Sequence, residues 1–156
     1  VTDPTRKAAI AELYSEILVE MMQERGLPLK ASHQALIARL HEIPCMIFVC
    51  AEGEPPPTTS GQVGFYGSIL PAAWSLMLAL RGRGIGTTWT SLLTARADAV
   101  AGILRIPDGV TQTVMLPAAY TLNAVLKPAQ RASAETVTFW DAWGASQPSR
   151  KVPGDE

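Results

Sequence analysis

The sequence predicts an α+β fold with more helix than strand, and three observations lead to that prediction. Apolar residues recur at helical spacing over about residues 4–25. A continuous apolar run at residues 45–51 has the length of a strand and is typical of one buried on both faces. An apolar helix at residues 68–80 leads through a glycine-rich turn into residues 87–90, whose Thr and Trp side chains favour a strand.

The first two helices have recognisable ends. Asp3 is the expected N-cap of the first helix and Pro4 its first residue, while Gly26 ends it. A second helix is predicted from a cap at Ser32 to a stop before Pro44.

Two histidines fall near the ends of the second helix and raise the question of a metal site. His33 and His41 are eight residues apart and have no third ligand nearby in the sequence. Capping or solvent-exposed roles are therefore expected, and no metal site is predicted.

The middle of the chain is predicted to hold a loop followed by a central helix. Residues 52–64 are rich in Pro, Thr and Gly and are predicted to form a solvated loop. Ser68 is the expected cap of the third helix, with Pro71 in its first turn. Because residues 68–80 are apolar nearly all round, this helix should lie centrally or in a subunit interface.

The remaining elements follow from the same patterns. Residues 1–145 are expected to form one domain, and residues 146–156 a polar tail. The predicted elements are a strand at 87–90, a helix at 94–104, a turn at 107–109, a strand at 111–119 and a short closing helix at 135–143.

Composition limits the classes of partner. The 156 residues are 47% hydrophobic and 17% charged, enough for one core and low enough in charge to favour a subunit interface. A formal net charge of -1 argues against nucleic acid. We find no secretory signal and expect no membrane span, because no run of about 18 apolar residues without a charge is evident.

The two cysteines lie in the strand-length run. Cys45 and Cys50 have an odd separation, which places them on opposite faces of a strand and prevents them from pairing there. Buried thiols in a reducing cytoplasm are the expected state.

The glycine-rich turn admits two interpretations. Gly82, Gly84 and Gly86 follow a helix, so they do not form a dinucleotide-binding fingerprint. They either close the helix end or let the backbone approach a planar ligand. The sequence offers no carboxylate pair or Ser/His/Asp order for catalysis, which a cofactor-dependent enzyme permits.

Four segments, in order, resemble the FMN-dependent nitroreductase family. The helix and Gly-Ile-Gly-Thr turn at residues 67–90 are similar to that family's signature. The turn Ile106-Pro107-Asp108-Gly109-Val110 resembles its Ile-Pro-Glu-Asp-Val turn, and residues 113–120 resemble the strand that follows. Residues 126–131 resemble the basic segment that closes its flavin site.

This resemblance implies a central, mostly antiparallel sheet flanked by helices in a helix-rich two-fold homodimer. It also implies bound FMN, NAD(P)H as co-substrate, and reduction of nitroaromatics, quinones or similar small-molecule electron acceptors by ping-pong hydride transfer. The protein would position the cofactor and contribute no catalytic side chain of its own. The implied cofactor-binding residues are Gly86, Trp89, Thr90, Ser91 and Leu92 along the flavin ring, and Lys127 and Arg131 near its phosphate and O2 side.

The sequence leaves two alternatives to this function open. A nitroreductase-like protein could bind or store flavin without turnover, and an unrelated α/β module would make the four matches coincidental. Val1-Thr2-Asp3-Pro4 reads as the end of a strand entering a helix. By resemblance, arginines for the FMN phosphate would precede it, so we expect this chain to be a fragment that binds FMN poorly alone.

Overall fold

The protein is described from a computed structural model covering residues 1–122 and 127–147. The chain divides into two compact units, Val1–Leu122 and Asn123–Glu156. The first unit contains a three-stranded antiparallel sheet in the order β1-β3-β2 and four α-helices, which confirms the α+β class. The elements are α1 (Pro4–Glu24), α2 (Ala31–Arg39), β1 (Cys45–Glu52), α3 (Thr59–Arg81), β2 (Ile85–Thr87), α4 (Ala97–Leu104) and β3 (Val110–Tyr120).

Helix α1 begins and packs as its sequence predicts. The side chain of Asp3 accepts a hydrogen bond of 2.8 Å from the Arg6 N–H, and Pro4 is the first helical residue. The apolar stripe of α1 forms much of the larger core together with residues of β1, β3, α4 and the loop after β2. Its fully buried members include Ile10, Met46, Val100 and Met115.

The chain entering α1 pairs with β1. Val1 and Met46 exchange backbone hydrogen bonds, of 2.6 Å to the Met46 carbonyl and 3.0 Å to the Val1 carbonyl. Such an exchange is typical of an antiparallel pair and agrees with the strand-like character predicted for Val1, although residues 1–3 form no assigned strand.

Helix α2 starts two residues earlier than predicted. Lys30 occupies the N-cap position in place of Ser32, and its N–H donates to Nδ1 of His33 at 3.4 Å. The capping role expected for a histidine is thus confirmed at His33. After α2 the chain tightens into a 3₁₀-helix, Leu40–Glu42, and stops before Pro44.

Strand β3 is the centre of the sheet. Its side chains alternate, so that Met115 enters the larger core while Val114 and Leu116 enter a second cluster beneath α3. A bulge at Thr113 lets its hydroxyl donate to the Val49 carbonyl at 2.8 Å.

Strand β1 is less buried than predicted. It lies at one edge of the described sheet, and of its eight residues only Met46 is fully buried. Both cysteines are half-buried and free, which corrects the expectation that they are fully buried. Burial of the Cys50 thiol is still sufficient to raise its pKa above the ordinary value.

Helix α3 is much longer than predicted. It begins at Thr59, capped by the Thr58 side chain, so residues 59–64 are helical and the predicted loop ends sooner. The hydroxyl of Ser68 donates to the Phe65 carbonyl at 2.7 Å instead of capping the helix. Pro71 lies in the helix interior, not its first turn.

The surface of α3 is apolar and largely exposed within the described chain. Only Ala73 is fully buried, against the sheet, while Val63, Trp74 and Leu78 are exposed by 68%, 56% and 57%. The helix carries no charge before Arg81, so the expectation that no apolar run of about 18 residues lacks a charge is wrong for α3. Its length and mean hydropathy of 1.5 meet the criteria for a membrane-spanning helix, although such composition also occurs in soluble proteins.

The segments after β2 differ from the prediction in two ways. Strand β2 covers Ile85–Thr87, and beyond it only Thr90 pairs with β3, at Met115. The helix predicted at 94–104 is divided into a 3₁₀-helix, Leu92–Arg96, and α4.

The second unit is described at residues 127–147. It contains a 3₁₀-helix, Ala134–Thr136, but the closing helix predicted at 135–143 is absent from these residues. A turn forms there instead, closed by a hydrogen bond of 3.1 Å from the Trp140 N–H to the Ala145 carbonyl. Asp141 and Gly144 adopt positive φ, which an α-helix does not allow. Residues 148–156 of the polar tail predicted at 146–156 lie outside the described residues.

Candidate functional site

The glycine-rich turn after α3 is fixed by the end of β3. Gly84 has a φ of +77°, a conformation that side chains rarely adopt. Its carbonyl accepts hydrogen bonds from both the N–H (3.0 Å) and the hydroxyl (3.1 Å) of Thr121. These two bonds set the angle at which the chain leaves α3 and enters β2.

Gly86 is required by contact within the protein. A Cβ at this position would lie 2.5 Å from Cγ2 of Thr121, closer than real Cβ contacts. Thr121 of the same chain therefore lies close to Gly86, and the contact of Gly86 with a flavin stays a prediction.

Strand β2 stops pairing with β3 at a position that lies opposite a proline. Ile85, Gly86 and Thr87 pair with Tyr120, Ala119 and Ala118, and Thr90 pairs with Met115 in the same register. That register places Thr88 opposite Pro117, which has no N–H to donate. The strand predicted at 87–90 is interrupted for this reason.

The alternation of the ladder places the backbone of Trp89 at the edge of the sheet. Thr90 exchanges hydrogen bonds of 3.1 and 2.8 Å with Met115, so it is a hydrogen-bonded position of the ladder. Its neighbour Trp89 is then a position whose N–H and carbonyl face away from β3. Because β2 is the outer strand of the described sheet, these groups lie at its open edge.

Three of the predicted flavin-contacting residues use part of their backbone in bonds within the protein. The Thr90 N–H and carbonyl are both used by Met115. The Leu92 N–H makes a long contact of 3.4 Å to Thr90 Oγ1, and the Ser91 carbonyl accepts from the N–H and hydroxyl of Thr94.

The donors that remain are few and close in sequence. Within the described residues, no hydrogen-bond acceptor is found for the N–H groups of Thr88, Trp89 and Ser91 or for the hydroxyls of Thr88 and Ser91. Ser91 is exposed, and Trp89 is 36% exposed. Donors at these positions are of the type that could bond the acceptor atoms along one edge of a planar heteroaromatic ring.

An aromatic groove adjoins these donors. It has a volume of about 610 Å³, and its lining contains no charged side chain. Trp89 belongs to both the donor segment and the groove. The sequence analysis did not predict this groove, although the aromatic residues of α3 could have indicated it. The lining residues are Tyr66, Gly67, Leu70, Pro71, Trp74 and Trp89.

The two predicted basic ligands belong to the second unit. Lys127 and Arg131 are exposed in a segment without helix or strand. Their proposed contact with a phosphate stays a prediction.

The titratable groups of the described chain offer no alternative metal centre. No group of three or more His, Cys, Asp or Glu residues within the described ranges is arranged to hold a metal ion. A hydrogen bond from Arg39 lowers the pKa of the exposed Glu42 carboxyl. That pair lies at the end of α2, away from the donor segment in the chain.

Comparison with known proteins assigns the family. The model of the Nitroreductase family matches residues 3–120, so the chain belongs to the nitroreductase family. No protein with a curated description matches it.

Solved structures share the fold at low identity. Iodotyrosine deiodinase bound to FMN and 3-iodo-L-tyrosine is 20% identical with a TM-score of 0.60, over 89% of this chain and 74% of that one. A putative NADH dehydrogenase/NAD(P)H nitroreductase of Parabacteroides distasonis is 22% identical with a TM-score of 0.61, over 92% and 70%. The FMN- and NADPH-dependent nitroreductase NfnB of a Sphingopyxis strain is 17% identical with a TM-score of 0.58, over 92% and 77%. The nitroreductase-like α+β fold predicted from the sequence is thereby confirmed.

Proposed function

We propose that this chain forms part of an FMN-dependent oxidoreductase that uses NAD(P)H to reduce nitroaromatics, quinones or similar electrophiles. The observation that supports this most directly is that the N–H groups of Trp89 and Ser91 have no acceptor within the described residues, in a chain of the nitroreductase family. Bound FMN would supply the hydride chemistry. The protein's own task is to hold the ring and exclude water from it.

We assign one part of this task to backbone and hydroxyl donors and another to basic side chains. The Trp89 and Ser91 N–H groups donate to the ring edge and hold it against the end of β2. The Ser91 hydroxyl adds a third donor. Lys127 and Arg131 neutralise the phosphate, where charge-assisted hydrogen bonds are strongest.

We further propose that the functional unit is a homodimer in a reducing, cytoplasmic environment, without nucleic-acid or membrane partners. The exposed apolar surface of α3, including Val63, Trp74 and Leu78, supports a second copy as the partner. The two free cysteines are compatible with a reducing compartment.

Titration with FMN tests the cofactor assignment. Loss of the Ser91 hydroxyl in Ser91→Ala should weaken FMN binding about fivefold, the worth of one neutral hydrogen bond. Arg131→Ala should cost about 1.5 to 3 kcal/mol, because it removes a charge-assisted bond. Ser15→Ala, on α1, is the matched control and should leave the dissociation constant unchanged. Equal FMN binding by all three variants would remove Ser91 and Arg131 from the site.

A second measurement separates turnover from storage. Under anaerobic conditions, NADH or NADPH should bleach the visible absorbance of bound flavin, and 1,4-naphthoquinone should restore it. Bound flavin that neither nucleotide reduces would favour the alternative of a flavin-binding or storage protein.

A further inference from the structure

We propose that Glu20 on α1 is a positioning residue for the flavin site. It pairs with Arg96 and so holds the 3₁₀-helix Leu92–Arg96, called the linking helix below, which in turn fixes the backbone of Ser91. The inference deepens the proposed function and rests on it, because it names a residue that acts on the site through two others. Glu20 and Arg96 are 76 positions apart in the sequence.

The ion pair has a close, two-point geometry. Nη2 of Arg96 lies 2.9 Å from Oε1 and 2.7 Å from Oε2 of Glu20. The other ion pair within the described residues joins Arg39 to Glu42 at 2.8 Å, only three positions away in the same turn of chain. Of the two pairs, Glu20–Arg96 is therefore the one that connects distant parts of the protein.

The linking helix is held against α1 at two places. Glu20 lies in a part of α1 whose neighbours Ile17 and Leu18 are buried in the larger core. Leu93, the second residue of the linking helix, is buried in the same core. The apolar contact at Leu93 and the ion pair at Arg96 are near opposite ends of this short helix, so together they prevent it from turning about either contact.

The linking helix fixes the peptide that follows Ser91. The Ser91 carbonyl accepts hydrogen bonds from the N–H of Thr94 at 3.0 Å and from its hydroxyl at 2.7 Å. The Ser91 side chain occupies the N-cap position but makes no capping bond, although serine commonly does so there. Thr94 is two positions before Arg96, so a shift of the linking helix moves the Ser91 carbonyl with it.

The sheet fixes the peptide that precedes Ser91. The Thr90 carbonyl accepts from the Met115 N–H at 2.8 Å. In a planar trans peptide the carbonyl and the next N–H point in opposite directions, so the Ser91 N–H points away from β3. With the peptides on both sides held, the backbone torsions of Ser91 are fixed, and so is the direction of its side chain. Without the linking helix only the N–H would keep its direction.

The exposure of the ion pair allows its role to be separated from stability. Ala97, next to Arg96, is held by a hydrogen bond of 2.8 Å from the half-buried Gln112 side chain to its carbonyl. Replacing Gln112 or the buried Leu93 would disturb the core. The side chains of Arg96 and Glu20 are 45% and 52% exposed, so removing their pair should cost the fold little.

Hydrogen exchange of the full chain without FMN tests the first step. We expect the Thr94 N–H to exchange about threefold faster in Glu20→Ala, because its bond to Ser91 opens more often when the linking helix is less restrained. Glu42→Ala is the matched control. It removes the carboxylate of the other exposed ion pair and should leave Thr94 exchange unchanged. Exchanging the two charges, in Glu20→Arg with Arg96→Glu, should restore the original rate.

FMN titration tests the second step. Glu20→Ala should weaken FMN binding about threefold, within what an exposed ion pair contributes, and Glu42→Ala should not change it. Because the effect passes through the Ser91 hydroxyl, adding Glu20→Ala to Ser91→Ala should weaken binding no further. A merely structural role would instead multiply the two losses.

Each contrary outcome overturns a stated step. An unchanged Thr94 exchange rate in Glu20→Ala would show that the ion pair does not hold the linking helix, and so would a charge-exchanged variant that fails to recover. Multiplied losses in the double variant would show that Glu20 does not act through Ser91. If FMN binds to none of these proteins while Thr94 exchange responds as expected, the proposed function fails and the connection from α1 to Ser91 stands.

Discussion

At the scale of single residues, neighbouring glycines of one motif have different physical tasks. Gly84 is required for its positive φ, and Gly86 for the space that Thr121 fills. Neither role needs a ligand. The backbone donors of Trp89 and Ser91, which we propose to face the cofactor, are not identified by the pattern of glycines.

The packing role of Gly86 can be measured. Gly86→Ala should lower the free energy of unfolding by about 1 to 3 kcal/mol, because the new methyl group overlaps Thr121 Cγ2. Urea unfolding followed by circular dichroism gives this value. Thr121→Ser removes the overlapping methyl group and keeps the hydroxyl, so it should restore most of the loss in the double variant. An undiminished loss in that variant would place the conflict elsewhere.

The thiol of Cys50 should react slowly in the folded protein. Burial raises its pKa, so at pH 8 a smaller fraction is thiolate than for an exposed thiol, and alkylation should accelerate as pH rises. A Cys45→Ala variant leaves Cys50 as the reporter for iodoacetamide, and the same variant unfolded in urea is the reference. Equal rates in the folded and unfolded states would contradict the burial effect.

At the scale of elements, one proline in β3 decides where β2 ends. Pro117 stands opposite Thr88 in the register and supplies no donor, so Thr88 and Trp89 leave the ladder before Thr90 rejoins it. A central strand rarely contains proline, and here its effect falls at the candidate site.

Replacing that proline should extend the strand. In Pro117→Ala, the new N–H at residue 117 should bond the Thr88 carbonyl and exchange slowly with deuterium by NMR. The Trp89 N–H, which faces the outer edge, should exchange as fast as before. Rapid exchange at residue 117 would show that the register does not continue through Thr88.

At the scale of the whole molecule, the exposed apolar surface of α3 is the feature that calls for a partner. Its length, lack of charge before Arg81 and exposed Val63, Trp74 and Leu78 leave more apolar area in water than an ordinary monomer does. A second copy is the partner that we propose.

Sedimentation velocity should therefore detect a dimer at micromolar concentration. Leu78→Glu should shift the population toward monomer, because it places a charge in the proposed interface. Leu27→Glu changes an equally apolar residue, 52% exposed between α1 and α2, and should leave the dimer intact. A wild-type chain that sediments as a monomer contradicts the proposal.

The sequence by itself determined the features that depend on local chemistry. Asp3 and Pro4 mark the start of α1, and the apolar patterns locate α1, β1 and β3 to within about two residues. The glycine-rich turn and the three later segments that resemble the same family indicated the family that the comparison confirms. Each of these signals comes from residues near one another in the chain.

Only the tertiary structure decided the features that depend on partners distant in sequence. The side chain of Thr121 occupies the space where a Cβ of residue 86 would lie. Pro117 lies opposite the position where β2 stops pairing, and Met115 bonds both the N–H and the carbonyl of Thr90. The local sequence around one residue cannot reveal these effects, because the partners in hydrogen bonding and packing are determined by the register of the paired strands. The candidate site is thus the part of the protein that local sequence specifies least, since the donors at Trp89 and Ser91 are left over after the sheet has formed.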